Sequence, residues 1–332
     1  MTDFRGIIIE DLELLRKKEQ QERNVFKVRA YDKVIKELRA FEKPIHTIKD
    51  IETISGIGDR IKAKIQEIID TGKLKAAEEV KKDSGINAID IIIKIHGIGP
   101  VKANDLIQNH GIRSIADLRA AVENTPKLLN EKQLIGLKYF EDIQERIPRN
   151  EMLLHEKDIL KTVKSIKDSD NNDPLEFTAA IVGSFRRELS TSGDIDVLIG
   201  YPEGISEKVA EQKFKELIEK FEEKGYITDI LAKGPKKCMA IVKLQSSGEY
   251  SKARRLDLLL TPPEEFPYAL LYFTGSDKFN IQVRKKAIEK GYSLSEHGLK
   301  MTKKDIPKPP KMKNEEDILE FLGVPFIPPN QR

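Results

Sequence analysis

Gly183-Ser184-Phe185-Arg186-Arg187, followed shortly by Ser192-Gly193-Asp194-Ile195-Asp196, is the passage from which the rest of the chain can be read. The apolar run 177–182 before it reads as a strand, so Gly183-Ser184 opens a helix straight out of a strand. Backbone amides at such a helix start, with the Ser184 hydroxyl, can cradle a triphosphate, and Arg187 adds positive charge. Residues 194–199 alternate as a strand does, so Asp194 and Asp196 project from one face. Two carboxylates that close repel each other unless cations sit between them. Hard Mg²⁺ ions with phosphate oxygens as co-ligands meet that need. A third acid should come from an adjacent strand, and Asp257 is the only acid in Arg255-Leu256-Asp257-Leu258-Leu259-Leu260. Three carboxylates can hold two metal ions: one lowers the pKa of an attacking hydroxyl, the other stabilises a leaving pyrophosphate. Asp257 is also placed to receive the proton. The plain alternative is that Asp194 and Asp196 cap a turn while Asp257 pairs with Arg255. The coincidence of the Gly-Ser turn with an acid on a further strand weighs against it.

Downstream, a helix over 207–225 and strands over 227–231, 238–244 and 255–260 extend a mixed α/β unit that Thr261-Pro262-Pro263 punctuates. Beyond residue 264 short helices alternate with strand-like pieces, and residues 314–322 form a last helix. Upstream, 151–165 reads as helix and 167–174 as a polar loop. The first 150 residues read almost wholly as helix: 9–18 and 25–41 carry apolar residues at three- and four-residue spacing, and Pro44 ends the second. An internal repeat follows. Ile54-Ser55-Gly56-Ile57-Gly58-Asp59-Arg60-Ile61 is echoed 41 residues later by Ile95-His96-Gly97-Ile98-Gly99-Pro100-Val101-Lys102, each copy opening a helix, over 59–69 and 100–109. At such turns unpaired backbone N–H groups sit at the positive end of a helix dipole. The glycines Gly56, Gly58, Gly97 and Gly99 let a phosphate backbone approach them, with no sequence preference.

The 332 residues suggest two or three domains. Charged residues make up 34% and hydrophobic ones 39%, which is ordinary for a soluble globular protein. One cysteine, Cys238, excludes an intrachain disulfide and a thiolate metal cluster. Met1-Thr2-Asp3-Phe4-Arg5 is not followed by the apolar core of a signal peptide. No apolar run approaches the roughly 18 residues of a membrane span. A soluble, intracellular protein without a membrane partner is expected. The net charge is only +3, but residues 278–313 hold eleven Lys/Arg against three Asp/Glu, and residues 233–255 hold seven against one. Basic surface of that kind is the footprint of a polyanion.

The repeated glycine turns resemble the helix-hairpin-helix motif of DNA repair proteins and polymerases, whose turn carbonyls also hold a monovalent cation, K⁺ or Na⁺, against the phosphate. The Gly-Ser turn with its three aspartates resembles the nucleotidyltransferase signature of the polymerase β superfamily. Leu271-Tyr272-Phe273-Thr274-Gly275-Ser276-Asp277-Lys278-Phe279-Asn280 is similar to the nucleotide-selection motif of family X DNA polymerases. Gly136-Leu137-Lys138-Tyr139-Phe140, Arg146-Ile147-Pro148-Arg149 and Ala287-Ile288-Glu289-Lys290-Gly291-Tyr292 read like the polymerase β type of that family. The resemblance implies an α+β multidomain fold: a helical deoxyribose-phosphate lyase domain with the first helix-hairpin-helix over 1–82, a second helix-hairpin-helix subdomain that binds DNA over 83–150, a nucleotidyltransferase palm over 151–261, and a small α/β nucleotide-selection subdomain over 262–332. It implies triphosphate contacts from Gly183, Ser184, Arg187, Ser192 and Gly193. Tyr272, Phe273, Gly275, Asp277 and Asn280 should line the sugar and base, with Tyr272-Phe273 a steric gate against the ribose 2′-hydroxyl. Arg255 and Arg284 should contact DNA, Arg284 in the minor groove of the template. Two Mg²⁺ ions, or Mn²⁺, belong on Asp194, Asp196 and Asp257.

The same resemblance puts a Schiff-base amine at Lys64, six residues after Gly58. There it would condense with the C1′ aldehyde of an abasic sugar and permit β-elimination of the 5′-phosphate. Lys27, Tyr31, Lys33 and Arg60 match or conservatively replace the family's 5′-phosphate pocket. Phe26 stands where the polymerase β type has histidine, and Ala76 where it has lysine. Each change removes a phosphate contact, so a slower lyase is expected. Leu259 replaces an arginine implicated in switching partners of the catalytic acid, so conformational coupling should differ. The expectation is a monomeric, template-directed gap-filling DNA polymerase with 5′-deoxyribose-phosphate lyase activity, acting in base excision repair. It would take dNTPs and gapped or nicked DNA bearing a 5′-phosphate, in the nucleus of a eukaryotic cell and otherwise in cytoplasm or a virus. Two alternatives stand beside it. An end-joining or terminal-transferase-like relative would carry a long loop where residues 245–253 form a short connection. A catalytically inert DNA-binding scaffold would not need three intact aspartates.

Overall fold

The computed structural model describes residues 2–332 apart from 23, 42, 83, 168–174 and 246–251, and leaves out the side chains of 21, 81, 82 and 84–87. Most of the loop expected over 167–174 and of the connection 245–253 lies outside the described residues. The chain forms two compact units, Met1–Leu137 and Lys138–Arg332.

The first unit is helical: α1 (Arg5–Gln21), α2 (Val25–Ala40), α3 (Asp59–Thr71), α4 (Lys75–Lys82), α5 (Ser84–Ile92), α6 (Pro100–His110), α7 (Ile115–Asn124) and α8 (Glu131–Lys138). The helical spacing buries Ile8, Leu12 and Leu15 of α1 with Val34, Ile35 and Leu38 of α2 and Ile61, Ile65 and Ile68 of α3. Both glycine turns form. Gly56 and Gly97 take φ of +93° and +84°, and Gly58 and Gly99 are the extended N-caps of α3 and α6. A Cβ on Gly58 or Gly99 would meet nothing within 4 Å, so both turns lie open on that side. Gly136 is required for another reason. A Cβ there would lie 2.4 Å from the His96 carbonyl oxygen, so α8 seats on the second turn only without a side chain. Beside it Gln133 Nε2 donates to the Gly97 carbonyl at 3.0 Å.

The second unit holds α9 (Phe140–Gln144), β1 (Ile147–Pro148), α10 (Arg149–Val163), β2 (Thr178–Ile181), α11 (Gly183–Arg186), β3 (Thr191–Ser192), β4 (Ile195–Gly200), α12 (Glu207–Glu223), β5 (Ile227–Lys233), β6 (Lys237–Val242), β7 (Arg254–Thr261), α13 (Phe266–Thr274), α14 (Asp277–Glu289), the hairpin β8 (Tyr292–Ser295) and β9 (Gly298–Met301), and α15 (Glu315–Phe321). The unit boundary thus divides the segment expected as 83–150, with α9 on the far side. A five-stranded sheet runs in the order β2-β4-β7-β6-β5. Its β4–β7 pair is parallel and the other pairings are antiparallel. Ile195, Val197 and Ile199 of β4 and Leu256, Leu258 and Leu260 of β7 enter a core shared with Ile159 of α10 and Phe214 and Phe221 of α12. Alternation sends Leu198 and Leu259 to the opposite face, under Ala269, Leu270 and Phe273 of α13. Leu259 is therefore part of an apolar layer beneath α13.

A buried ion pair ties α10 to β7. Arg254 Nε and Nη2 donate to the two Glu151 carboxylate oxygens at 2.6 and 2.7 Å, and Nη1 donates to the Glu145 carbonyl at 3.1 Å. Burial works against the Glu151 charge, but the His155 ring 3.7 Å away and the Arg254 guanidinium outweigh it and hold the carboxyl at about 2. A carboxyl depressed in the folded state contributes stability that is full above its ordinary 4.5 and is lost as pH falls toward 2. Glu151→Ala leaves a buried guanidinium without a counter-ion and should destabilise the second unit by about 3–5 kcal/mol at neutral pH. Denaturant unfolding followed by circular dichroism checks this. A loss below about 1 kcal/mol would mean that the pair does not hold β7.

Candidate active site

The parallel register sets Asp196 of β4 directly beside Asp257 of β7. Asp194 lies one residue before β4, just outside the strand expected to begin with it. Burial, and then the neighbouring Asp257 charge, push the Asp196 carboxyl up to about 6, against a weaker opposing pull from Lys237. Asp257 Oδ1 is buried with no hydrogen-bond partner. Arg255 lies alongside, its Nε 3.9 Å from that oxygen, and its Nη2 donates to Asp194 Oδ2. The structure therefore brings two of the three expected aspartates together and holds the third on Arg255. Among the described residues no three His, Cys, Asp or Glu side chains close around one point. The cause is electrostatic: three carboxylates do not converge without a cation, and the guanidinium is the cation at hand. The donor set nonetheless suits a hard divalent ion. A buried carboxylate oxygen lacks a partner, burial and that same acid disfavour the charge on its neighbour, and the third acid already draws a cation, Arg255. Gly183, with φ +59°, stands against this corner, and a Cβ there would sit 3.1 Å from Asp196 Oδ2.

From Asp196 opens a cleft of about 490 Å³. Gly183, Arg187, Tyr272, Phe273, Gly275, Asp277 and Asn280 line it as the sequence suggests, together with Ser276 and Lys278. Ser184, Ser192 and Gly193 are not part of that lining. Ser192 is buried in β3 opposite Ile147, and Gly193 is exposed. Asn280 Nδ2 donates to the Tyr272 carbonyl at 2.7 Å. The Tyr272 and Phe273 rings meet edge to face at 5.1 Å. The Arg284 guanidinium lies 5.3 Å over the Tyr272 ring, and its Nε donates to the Leu294 carbonyl. Arg187 Nη1 donates to the Thr274 carbonyl at 2.6 Å. Four bracing residues are not foreseen from sequence. Arg186 bridges Thr274 Oγ1 and Glu315, and Glu315 also accepts from Arg332 at 2.6 Å. The Arg186-Arg187 doublet is the one visible signal, because the partners lie far along the chain.

The first unit carries a second cavity, of about 790 Å³. Lys27, Tyr31, Gly56, Gly58, Arg60 and Lys64 line it, as do Phe26 and Ala76. Lys64 is half-buried on α3. Lys33 is not in the lining; its stem packs about 3 Å from where a Gly56 Cβ would stand. Four acids that carry no signal in the sequence, Glu19, Glu22, Asp59 and Glu79, share the cavity with the cations Lys18, Lys27, Arg60 and Lys64.

Residues 146–263 match the DNA polymerase beta palm, and 269–332 match the DNA polymerase beta thumb. Residues 7–74 match a helix-hairpin-helix domain, and 90–144 match the fingers domain of DNA polymerase lambda. These matches follow one another along nearly the whole chain, and they define the class as that of chains built on a polymerase beta palm with thumb, fingers and helix-hairpin-helix domains. DNA polymerase lambda of Rattus norvegicus is 31% identical over all of this chain and 56% of its own length. DNA polymerase lambda of Arabidopsis thaliana is 27% identical over 91% of this chain and 57% of its own. DNA nucleotidylexotransferase of Xenopus laevis is 30% identical over 89% and 62%. The chain belongs to family X of the DNA polymerases. It spans less than two thirds of the length of these relatives.

Asp196 offers a direct test of the electrostatics. Its carboxyl is raised in the folded state, so stability is greatest below its ordinary 3.8 and falls as pH rises through about 6. In chelator at pH 7.5, Asp196→Asn should stabilise the protein by about 1–2 kcal/mol, roughly 2–8 °C in midpoint. The gain should vanish below pH 4. A lower midpoint at pH 7.5 would refute the strained acid pair.

Proposed function

We propose that this chain is a template-directed, gap-filling DNA polymerase with 5′-deoxyribose-phosphate lyase activity, working in base excision repair. The observation that carries the reading is the Asp196–Asp257 pair, whose Asp196 opens onto a cleft lined by Tyr272, Phe273 and Asn280. Asp194, Asp196 and Asp257 would hold two Mg²⁺ or Mn²⁺ ions, which supply activation of the attacking hydroxyl and charge neutralisation at the leaving pyrophosphate. Arg187 and the Gly183 turn would hold the triphosphate. Tyr272 and Phe273 would exclude a 2′-hydroxyl, and Arg284 would reach the template. Asp257, with a buried oxygen free to accept, would take the 3′-hydroxyl proton. Arg255, freed as Asp194 turns to metal, would face DNA. In the first unit Lys64 would form the Schiff base, and Arg60 and Tyr31 would grip the 5′ end beside it. The open turns Gly56-Gly58 and Gly97-Gly99 would take the DNA backbone, with K⁺ or Na⁺ at their carbonyls. We assign the lyase domain to 1–82, DNA binding to 83–150, the palm to 151–261 and nucleotide selection to 262–332, in a monomer that acts on 5′-phosphorylated gaps or nicks and is nuclear if its host is eukaryotic.

The likeness to a nucleotidylexotransferase supports a second reading, template-independent addition at DNA ends. The short connection 245–253 favours template dependence. Extension of a single-stranded primer by the unaltered protein, at a rate matching gap filling, would reverse that order.

Asp257→Ala should abolish single-nucleotide insertion into a gap, because neither metal nor proton chemistry survives it, while gap affinity stays within about threefold. Insertion above about a hundredth of the original rate would remove Asp257 from the chemistry. Borohydride should trap the unaltered protein covalently on a 5′-deoxyribose-phosphate end. Lys64→Ala should lose most of that adduct and leave insertion in place, since Ala suits a helix and the aspartates lie in the other unit. Undiminished trapping in Lys64→Ala would move the nucleophile to another amine.

A further inference from the structure

The first-unit cavity is charge-balanced where a phosphate site calls for net positive charge. Its four cations face four acids. One of these acids makes a defined contact. Glu19, on α1, puts Oε1 2.8 Å from Lys27 Nζ on α2. The Glu19 side chain is 13% exposed and Lys27 is 50% exposed. Glu19 Oε2 is buried and has no hydrogen-bond partner. Tyr31, also in the lining, has its hydroxyl pKa raised by burial and then by the Glu19 charge, so the carboxylate bears on the cavity itself.

We propose that Glu19 sets how strongly this cavity grips a 5′-phosphate, by keeping Lys27 as its own counter-ion; this rests on reading the cavity as the site for a 5′ DNA end. The physical ground is the asymmetry of the pair. Lys27 reaches solvent and could turn to a phosphate at little cost to itself. Glu19 could not spare it, because one of its oxygens has no donor and the other has only Lys27 among the described residues. Taking Lys27 away would leave a mostly buried carboxylate without compensation. A 5′-phosphate entering the cavity must therefore compete with Glu19, and its grip falls to Arg60, Lys18 and Lys64. Lys27, which looks in sequence like a phosphate ligand, is in this fold a held reserve. Glu19 is a specificity-determining residue: it lowers the premium that the cavity places on a phosphorylated over a hydroxyl 5′ end.

The test is the ratio of affinities of the full-length protein for a one-nucleotide gap with a 5′-phosphate and the same gap with a 5′-hydroxyl, measured by fluorescence anisotropy at fixed salt. Lys27→Met should change this ratio by less than about twofold. Glu19→Gln, which keeps the shape and removes the charge, should raise it about three- to tenfold, the range of one net hydrogen bond gained at a solvent-facing lysine. In the Glu19→Gln, Lys27→Met double variant that gain should disappear. Glu22→Gln and Glu79→Gln remove a charge from the same cavity without touching the pair and should each give less than half the gain. Glu19→Asp, which draws the carboxylate back from Lys27, should shift the ratio in the same direction and serves if Glu19→Gln does not fold. A ratio that collapses in Lys27→Met alone would overturn the competition while leaving the cavity a 5′-phosphate site. So would equal gains from all three Glu→Gln changes. A ratio near one in every variant would overturn both this proposal and the 5′-end reading of the cavity.

Discussion

The parallel pairing of β4 with β7 is the constraint from which the second unit follows. It places Asp196 beside Asp257, a like-charge contact that no sheet would choose for stability. The opposite faces of the same strands compensate. Ile195, Val197, Ile199, Leu256, Leu258 and Leu260 are sunk in a core roofed by α10 and α12, so the strands cannot part to relieve the repulsion. Other features are supports for this arrangement. The Glu151–Arg254 pair fastens α10 to β7, α13 lies on Leu198 and Leu259 next to the acids, and Arg255 absorbs the charge of Asp194. The strain stays local because the packing around it is apolar and continuous.

How much of this is legible in the amino-acid sequence depends on the range of the interaction. Strand alternation is local, and it marks Asp196 and Asp257 as acids set into apolar strands. The glycine repeat is legible too, since a tight turn that opens a helix needs its glycines within three residues. Asp194 is harder. Its spacing from Asp196 says nothing of Arg255, whose side chain reaches it across the sheet. The brace of Arg186 on Glu315 joins residues more than a hundred positions apart, and no periodicity marks such pairs. Ser184, Ser192 and Gly193 follow from motif alone, while the packing of β3 against β1 decides that Ser192 is buried. In the first unit the lysines stand out and the glutamates do not, because a run such as Lys17-Lys18-Glu19 reads as a solvated helix face until its facing helix is known.

Both cavities bring acids and cations together, the first unit's with more of each. In the cleft of the second unit, Asp196 and Asp277 share the lining with Arg187 and Lys278. In the first unit acids and cations are mixed in equal number around the wall. Such a lining resists accumulation of counterions, so its occupancy should respond to salt less steeply than the open turns at Gly58 and Gly99.

The β4–β7 register also bears on how such a chain can change over evolutionary time. Side chains on a strand alternate faces, so deleting or inserting a single residue within Ile195–Gly200 or Arg254–Thr261 would exchange the two faces from that point on. Carboxylates would be driven among Phe214 and Phe221, and leucines would be turned out onto the cleft. Neighbouring strands cannot absorb such a slip, because β7 is paired on both edges. Gains and losses of length are thereby channelled into the connections between strands, where lineages can diverge freely while these two segments stay fixed in length.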